Sequence, residues 1–288
     1  MTIIGPDYAS VDGNKPPNLL AAKSAGAGFV IPRAIYGRPI TTSSATPFRD
    51  PTWVRDKNTI VEAGLVRGAF LFVCYPKHGV FTPEPEDQAQ AFIDYADLVQ
   101  YKDFVPMFDV EERSNVLNAD EMYAWTLRVA VKLREHYGAW PGMYTSALDW
   151  HEMMHDHAAG DLINCPLWIA KPWPWKERTP AHLDGLPSSS PLLIPPWGNQ
   201  WFFYQYQGDA LSFPGFDKTV DISRFRVFGK GAKGDHVVWT QRRLGITADG
   251  DFGPQTDSAI RALQSVHNLA VDGFVGPATF AVLCWMNS

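Results

Sequence analysis

Two carboxylates at the end of a predicted strand are the side chains in this sequence best suited to catalysis. Residues 104–108 are almost entirely apolar, and the acids Asp109, Glu111 and Glu112 follow. Side chains two positions apart in a strand share a face, so Asp109 and Glu111 point one way and Glu112 the other. A protonated carboxyl beside an ionised one is the chemistry of glycosidic cleavage. A bare Asp-x-Glu pair also occurs in acidic loops that only face water, so the rest of the chain must decide.

Alternating strands and helices provide the frame for this pair. The predicted strands are 2–5, 29–31, 68–75, 104–109, 142–145, 166–170, 201–207 and 219–222. The predicted helices are 19–26, 56–63, 83–100 and 118–138. This order indicates a mainly parallel sheet. About eight strands predict an α/β fold, a (β/α) TIM-like barrel with irregular late helices. Residues 171–200, rich in Pro, Trp and Ser, read as a long loop.

Four acids lie at or just after the ends of predicted strands. Asp7 comes after the first strand, Asp109 and Glu111 after the fourth, and Asp221 lies in the last. Because chemistry in such barrels sits at the carboxyl ends of the strands, the four acids should meet at one mouth. That convergence is a stronger indication of catalysis than the Asp-x-Glu pair alone.

These segments resemble the family-25 glycoside hydrolases, lysozymes that act as N-acetylmuramidases, over roughly residues 1–228. The matching pieces are Asp7 and residues 28–31, 63–69, 108–111, 143–146, 167–170, 204–206 and 220–222. There are two departures. Residues 70–72 read Phe-Leu-Phe where the family usually has Tyr-His-Phe, and Tyr204 stands where Trp is usual. Tyr75 or His78 are the candidates to replace the missing hydroxyl and imidazole.

The resemblance implies a role for each acid. Glu111 would be the general acid, with a pKa raised by burial and by neighbouring carboxylates. Asp109 would stay ionised and either attack C1 or steady the substrate's N-acetyl group as that group attacks. Asp7 and Asp221 would tune Glu111 and hold sugar hydroxyls. The expected substrate-binding residues are Tyr75, Tyr144, Trp168, Tyr204, Gln205 and Tyr206. No cofactor or metal is expected.

The last part of the chain contains an internal repeat. The pattern Gln-x7-Asp-Gly-x2-Gly-Pro-x-Thr begins at Gln241 and again at Gln264, an offset of 23 residues. Asp-Gly predicts a tight turn and Gly-Pro a helix start, and two such short units must pack together to bury their apolar faces. This tail resembles the small three-helix peptidoglycan-binding domain. We expect a barrel at 1–228, a flexible linker at 229–234 and a peptidoglycan-binding domain at 235–288.

Composition limits the partners and the location. The net charge of −6 argues against nucleic acid as the main partner. The chain has no apolar stretch of about 18 residues, so no membrane insertion is expected. Its three widely spaced cysteines indicate reduced core thiols rather than a disulfide framework. The N-terminus lacks a basic and an apolar signal region. We therefore expect a monomer made in the cytoplasm that reaches peptidoglycan after release, as a phage endolysin does, or is secreted by another route.

Two other functions compete with this one. His151-Glu152-Met153-Met154-His155 is a literal H-E-x-x-H motif, which on a helix would suit a zinc-dependent peptidoglycan endopeptidase. On a helical wheel, however, both histidines lie away from the apolar stripe. A non-catalytic wall-binding protein is the other alternative, and the four intact acids argue against it. We therefore expect a lysozyme that cuts the β-1,4 bond between N-acetylmuramic acid and N-acetylglucosamine and lyses bacteria.

Overall fold

A computed structural model describes residues 3–41, 44–170, 193–194, 196–210 and 213–286. All ten predicted site residues lie within these ranges. Most of the loop predicted at 171–200 lies outside them. Among the described helices, none has the length and apolar character needed to cross a membrane.

The strands of the first part of the chain form one sheet that closes on itself. Their bounds are β1 Ile3–Tyr8, β2 Phe29–Tyr36, β3 Phe48–Arg49, β4 Val66–Arg67, β5 Phe70–Phe72, β6 Met107–Asp109, β7 Gly142–Ser146, β8 Leu167–Ala170, β9 Trp201–Ala210 and β10 Val220–Phe225. The order around the barrel is β1-β10-β9-β8-β7-β6-β5-β2, and β1 pairs with β2 to complete the ring. The predicted α/β class and closed eight-stranded barrel are therefore confirmed.

One strand departs from a regular parallel barrel. β10 runs antiparallel to both β9 and β1, whereas the other neighbours around the ring are parallel. A parallel neighbour needs a crossover of a dozen or more residues, while an antiparallel one needs only a short return. Fewer than ten residues separate Ala210 from Val220, so the chain turns back on itself here.

Helices cover the outside of the barrel. They are α1 Leu19–Ser24, α2 Pro51–Glu62, α3 Pro85–Tyr95, α4 Ala119–Tyr137 and α5 Ala147–Met154, with 3₁₀ turns at Ser10–Asp12 and Gly160–Asn164. α4 shows why the ends fall where they do. Asn118 accepts a hydrogen bond from the Glu121 amide at 3.0 Å, and the Glu121 carboxylate accepts one from the Asn118 amide at 2.9 Å. Gly138 ends the helix in the left-handed region, as the sequence predicts.

The tail forms three helices, α6 Asp235–Arg243, α7 Pro254–Val266 and α8 Pro277–Trp285. Each repeat is held by the same polar network. Gln241 Nε2 donates to Asp249 Oδ1 at 2.7 Å and to Thr256 Oγ1 at 3.1 Å. The second copy, in which Gln264 bonds Asp272 at 2.8 Å and Thr279 at 3.1 Å, repeats this geometry. The aspartates therefore act in the turns, as the sequence predicts.

The tail packs directly against the amino-terminal end of the barrel. α8 is buried along its length, and Phe280 lies at the centre of a ring cluster with Phe104, Phe202, Phe203, Phe225 and Trp239. Trp285 Nε1 donates to the Asp103 carbonyl at 2.7 Å. Barrel and tail thus share one apolar core, separate from the core between the barrel and its outer helices.

Residues 229–234 are bonded into this arrangement. Gly231 donates to the Phe252 carbonyl at 3.0 Å, and Gly234 donates to the Gly250 carbonyl at 2.9 Å. Phe228 pairs with Val275 through a bridge in both directions. The segment predicted as a flexible linker is thus held against the tail, because its backbone groups find partners there. The domain bounds themselves stay a prediction. All three cysteines are free and buried, as predicted.

Candidate active site

A cleft of about 190 Å³ opens at the carboxyl end of the parallel strands. Its lining residues come from β1, β2, β5, β6, β7, β8, β9 and β10 and the loops that follow them. They are Asp7, Tyr8, Ala9, Val11, Asp12, Arg33, Phe70, Phe72, Asp109, Glu111, Tyr144, Trp168, Gln205 and Asp221. The four predicted acids therefore meet at one mouth, although they are separated by up to 214 positions in the chain.

Gln205 links the two acids contributed by β1 and β10. Its Nε2 donates to Asp7 Oδ1 at 2.9 Å and to Asp221 Oδ2 at 3.2 Å. Asp7 is buried, and burial together with the nearby Asp221 charge raises the pKa of Asp7 well above its ordinary value. Burial raises the pKa of Asp221 to about 6. Both carboxyls are therefore held in place and biased towards the protonated form.

Asp109 is the buried member of the Asp-x-Glu pair. Its Oδ1 has no hydrogen-bond partner among the described residues. Burial, followed by the charges of Glu111 and Asp7, raises the pKa of Asp109 well above its ordinary value, and the Arg33 guanidinium opposes this rise only weakly. Asp109 is thus a carboxyl that readily keeps a proton.

Glu111 lies at the surface of the cleft. Its side chain reaches solvent, yet the walls around its carboxyl remove much of the hydrating water. That desolvation, followed by the charges of Asp149 and Asp221, raises the pKa of Glu111 to about 7. Water still reaches the side chain and screens part of the effect of these charges. Substrate can therefore reach the Glu111 carboxyl, and the proton affinity of this carboxyl suits a general acid that acts near neutral pH.

Glu112 points away from the cleft, as strand alternation predicts. It forms ion pairs with Arg38 and with Lys77, the latter at 3.0 Å, and accepts a hydrogen bond from the Tyr75 amide at 3.1 Å. Its charge is therefore occupied by structural partners, whereas no basic group pairs with Glu111 among the described residues.

Three of the predicted substrate-binding residues line the cleft. Tyr144 donates from its hydroxyl to Gln205 Oε1 at 2.8 Å, and its ring lies 4.9 Å from that of Trp168. Trp168 Nε1 donates to Ser223 Oγ at 2.9 Å. These bonds fix two flat rings and one amide beside the acids.

The other three do not reach the cleft. Tyr204 and Tyr206 are buried in the layer between the barrel and its helices, because they alternate with Gln205 along β9 and so point to the opposite face. The Tyr75 hydroxyl is bonded to Thr126 Oγ1 of α4 at 2.6 Å, inside the same layer. His78 is exposed, away from the cleft lining. Neither Tyr75 nor His78 therefore replaces the hydroxyl and imidazole missing from β5, where Phe70 and Phe72 line the cleft instead.

Asp149 does not line the cleft, but its charge acts on the cleft acids, and the sequence analysis missed it. It lies in the first turn of α5, where Ser146 Oγ donates to its Oδ2 at 2.5 Å and its own amide donates to Ser146 Oγ at 3.0 Å. After burial, its charge contributes most to the raised pKa of Glu111. The available signal was the Ser-x-x-Asp capping pattern directly after a predicted strand.

The H-E-x-x-H motif has another arrangement. α5 ends at Met154, and His155 follows in the left-handed region with φ of 48°, so the two histidines do not share consecutive turns of one helix. His151 Nδ1 contacts Asp156 Oδ2 at 2.7 Å, and Glu152 forms an ion pair with Arg113. No group of three His, Cys, Asp or Glu side chains suited to a metal ion occurs in the described part of the chain.

Comparison with known families decides the classification of this barrel. The model for glycosyl hydrolases family 25 matches residues 24–216, about two thirds of the chain. The chain belongs to glycosyl hydrolases family 25. A second model, for the peptidoglycan binding domain, matches residues 235–283. The predicted pairing of a family-25 glycoside hydrolase with a peptidoglycan-binding domain is therefore confirmed.

Solved structures show the same fold in this family-25 chain. A bacterial lysozyme from Streptomyces coelicolor superposes with a TM-score of 0.61 at 19% identity, over 78% of this chain and 93% of that one. A family-25 lysozyme from Aspergillus fumigatus gives 0.59 at 21% identity, over 78% and 94%. The catalytic domain of an endolysin from a Listeria monocytogenes bacteriophage gives 0.53 at 13% identity, over 78% and 94%.

A curated relative matches a much shorter stretch of this family-25 chain. The zinc D-Ala-D-Ala carboxypeptidase of Streptomyces albus G is 39% identical over 59 residues, 18% of this chain. The match spans about a quarter, 23%, of that relative's length.

Proposed function

We propose that this chain is a peptidoglycan muramidase that hydrolyses the β-1,4 bond between N-acetylmuramic acid and N-acetylglucosamine. One observation carries the proposal. Four carboxyls converge in one cleft beside two aromatic rings, and one of them, Glu111, is solvent-accessible with a pKa of about 7. Family membership and the peptidoglycan-binding model support the class of substrate.

Glu111 acts as the general acid. It gives its proton to the glycosidic O4 as the bond from O4 to C1 breaks, and the released sugar leaves with a hydroxyl. Water then attacks C1 and returns a proton to Glu111, which restores the starting state. A pKa near 7 keeps a large fraction of Glu111 protonated at the pH of most cells, so the acid is ready when substrate binds.

Asp109 stabilises the positive charge that develops at C1. Its pKa is raised, mainly by burial. A cationic sugar centre beside the carboxyl reverses this balance, because an opposite charge favours the ionised form. Asp109 then either attacks C1 or steadies the substrate's own N-acetyl group as that group attacks. Its unpaired Oδ1 is the atom available for this contact.

Asp7 and Asp221 hold the sugar and set the charge around Glu111. Gln205 ties them together, so both carboxyls keep fixed positions at the mouth. Tyr144 and Trp168 are almost fully buried where they line the cleft, so they shape its wall and hold Gln205 and Ser223 in place. Pre-organised polar groups of this sort supply binding energy without reorganisation during the reaction.

Product analysis of purified peptidoglycan tests the proposal. The wild type should create new reducing N-acetylmuramic acid ends, which borohydride reduction and mass spectrometry detect. Glu111→Gln should reduce their rate of release by about 10²–10⁴-fold, because only proton donation is removed. His155→Asn, which removes an imidazole at a position where Asn tolerates the left-handed backbone, should leave the rate unchanged. New free amino groups in place of reducing ends, lost in His155→Asn or in EDTA, would instead indicate the endopeptidase.

We also propose that the protein acts as a monomer that lyses bacteria after release onto the wall. A binding domain that stays on peptidoglycan raises the local substrate concentration for the cleft. Added to washed bacterial cells, the wild type should lower their turbidity and Glu111→Gln should not. Light scattering should give a mass near the 32.2 kDa of one chain.

A further inference from the structure

A groove runs along the seam between the barrel and the tail, away from the catalytic cleft. It consists of two adjoining cavities, of about 540 and 390 Å³, that share Val227 and Phe274. Each cavity is lined by residues of both parts of the chain. The groove therefore exists only because the tail is docked on the barrel.

The larger cavity is mainly apolar. Its lining consists of Ile3, Val227, Leu269, Ala270, Asp272, Phe274, Gly276, Pro277, Ala278 and Thr279. Asp272 Oδ1 and Thr279 Oγ1 both accept hydrogen bonds from Gln264 of the repeat network, so these two atoms are occupied. Phe274 is 52% exposed and forms the ridge between the cavities. The larger cavity therefore offers apolar contact surface suited to methyl groups and few free hydrogen-bonding groups.

The smaller cavity is cationic. Arg226, Lys230 and Lys233 line it, and its described lining residues include no acid. Lys233 pairs with Asp251 at 2.6 Å, and Arg226 is bonded to Asn199 and lies over the Trp201 ring at 3.9 Å. Lys230 is exposed and has no ion-pair partner among the described residues. Lys230 is thus the cation most available to an incoming anion.

The groove lies at the opposite end of the barrel from the cleft. Ile3 of β1 lines the groove and Asp7 of the same strand lines the cleft. Four residues of strand separate them by roughly 13 Å. The two sites therefore face different directions and bind different parts of a substrate.

We propose that this groove binds the short stem peptides of peptidoglycan. The inference rests on the proposed function and assigns the groove a ligand of its own. An alanine-containing peptide with free carboxylates matches both halves, since its methyl groups fit the apolar cavity and its carboxylates meet Lys230 and its neighbours. A glycan fits less well, because burying hydroxyls against apolar walls without hydrogen-bond partners costs free energy.

A peptide held at one end of the barrel leaves the cleft at the other end free to engage a different part of the wall. Simultaneous binding makes the second contact intramolecular and raises the effective concentration of glycan at the cleft. The peptide contact therefore favours cross-linked wall over isolated glycan chains.

Calorimetric titration of the full chain tests the groove. The probe is the synthetic tetrapeptide L-Ala-γ-D-Glu-L-Lys-D-Ala, with amidase-stripped glycan chains as the comparison. Phe274→Ala should weaken tetrapeptide binding about tenfold, as expected for an aromatic anchor. Lys230→Glu should weaken it about five- to tenfold and remove most of its salt dependence. Arg242→Glu, an equal charge change at an exposed position of the tail away from the groove, should have no effect.

The outcomes separate this inference from the muramidase proposal. Release of reducing ends from stripped glycan depends on the cleft alone and should be the same in wild type, Phe274→Ala and Lys230→Glu. The peptide assignment would be overturned if neither groove variant changed tetrapeptide binding. It would also be overturned if the groove variants weakened glycan binding only. Loss of glycan cleavage with intact tetrapeptide binding would leave the groove standing and refute the muramidase.

Discussion

Phe280 of α8 provides a direct test of whether the barrel and the tail share one core. Its side chain is fully buried, and its ring centre lies 4.5 Å from Phe202, 5.2 Å from Phe225 and 5.5 Å from Phe203. All three partners belong to barrel strands at or near their ends. Phe280→Ala therefore removes apolar contact from both parts of the chain at once.

The expected loss is large. Truncating a buried Phe to Ala typically costs about 3–5 kcal/mol, because contact is lost and a cavity remains. An unfolding entropy of about 2.1 cal/mol/K per residue, summed over the chain, converts this loss into a fall in Tm of about 5–8 °C. Scanning calorimetry should show this shift in a single transition. The temperature at which reducing-end release is lost should fall in parallel, although the cleft lies at the other end of the barrel.

Phe274→Ala is the matched control. It removes the same ring from the same tail at a half-exposed position, so the expected change is within about 0.5 kcal/mol. The shared core would be refuted if the tail of Phe280→Ala unfolded in a separate, earlier transition. The barrel and its activity would in that case be lost at the same temperature as in the wild type. The tail would then be an independent module that only rests on the barrel.

Three further predictions concern the acids, the histidine motif and the repeat. Activity should fall as the pH rises through about 7, because the Glu111 proton is lost. The free energy of unfolding should fall from about pH 4 to 7, since the raised pKa of the acids means that the folded state binds more protons than the unfolded one. Asp221→Asn should flatten this slope in a pH series of denaturant titrations. EDTA and His155→Asn should each leave the rate of reducing-end release unchanged, and a parallel loss in both would reinstate the metal hypothesis. Gln241→Ala and Gln264→Ala should each cost about 1–3 kcal/mol, because each change leaves a buried threonine, Thr256 or Thr279, without its glutamine partner. Clearly unequal losses in denaturant titrations would contradict the equivalence of the two repeats.

Local sequence patterns predicted the elements that lead to the site. The capping box at Asn118 and the glycine at 138 marked both ends of α4, because capping bonds involve neighbouring residues only. The apolar run into Asp109 marked its strand, although β6 itself is only three residues long. The Asp-Gly and Gly-Pro turns of the tail were recognisable for the same reason.

Which side chains point into the cleft, and which point towards the outer helices, was harder to predict. Tyr204, Gln205 and Tyr206 are consecutive, and only Gln205 reaches the cleft. Alternation along β9 places Gln205 on the face opposite to Tyr204 and Tyr206, but only the closed barrel shows which face lines the cleft. The Tyr75 hydroxyl faces Thr126, a partner 51 residues away, which no local pattern reveals.

The sequence by itself determined the chemistry available to this protein: the four acids, the strands that end in them and the repeat that builds the tail. Each depends on residue type and short spacing, which the chain carries without folding. Only the tertiary structure decided how these parts combine. The raised pKa of Glu111, the effect of the Asp149 charge on that pKa and the covering of one barrel end by α8 all arise between residues distant in sequence. Burial and electrostatic coupling act through space, so they exist only once the barrel has closed and the tail has docked.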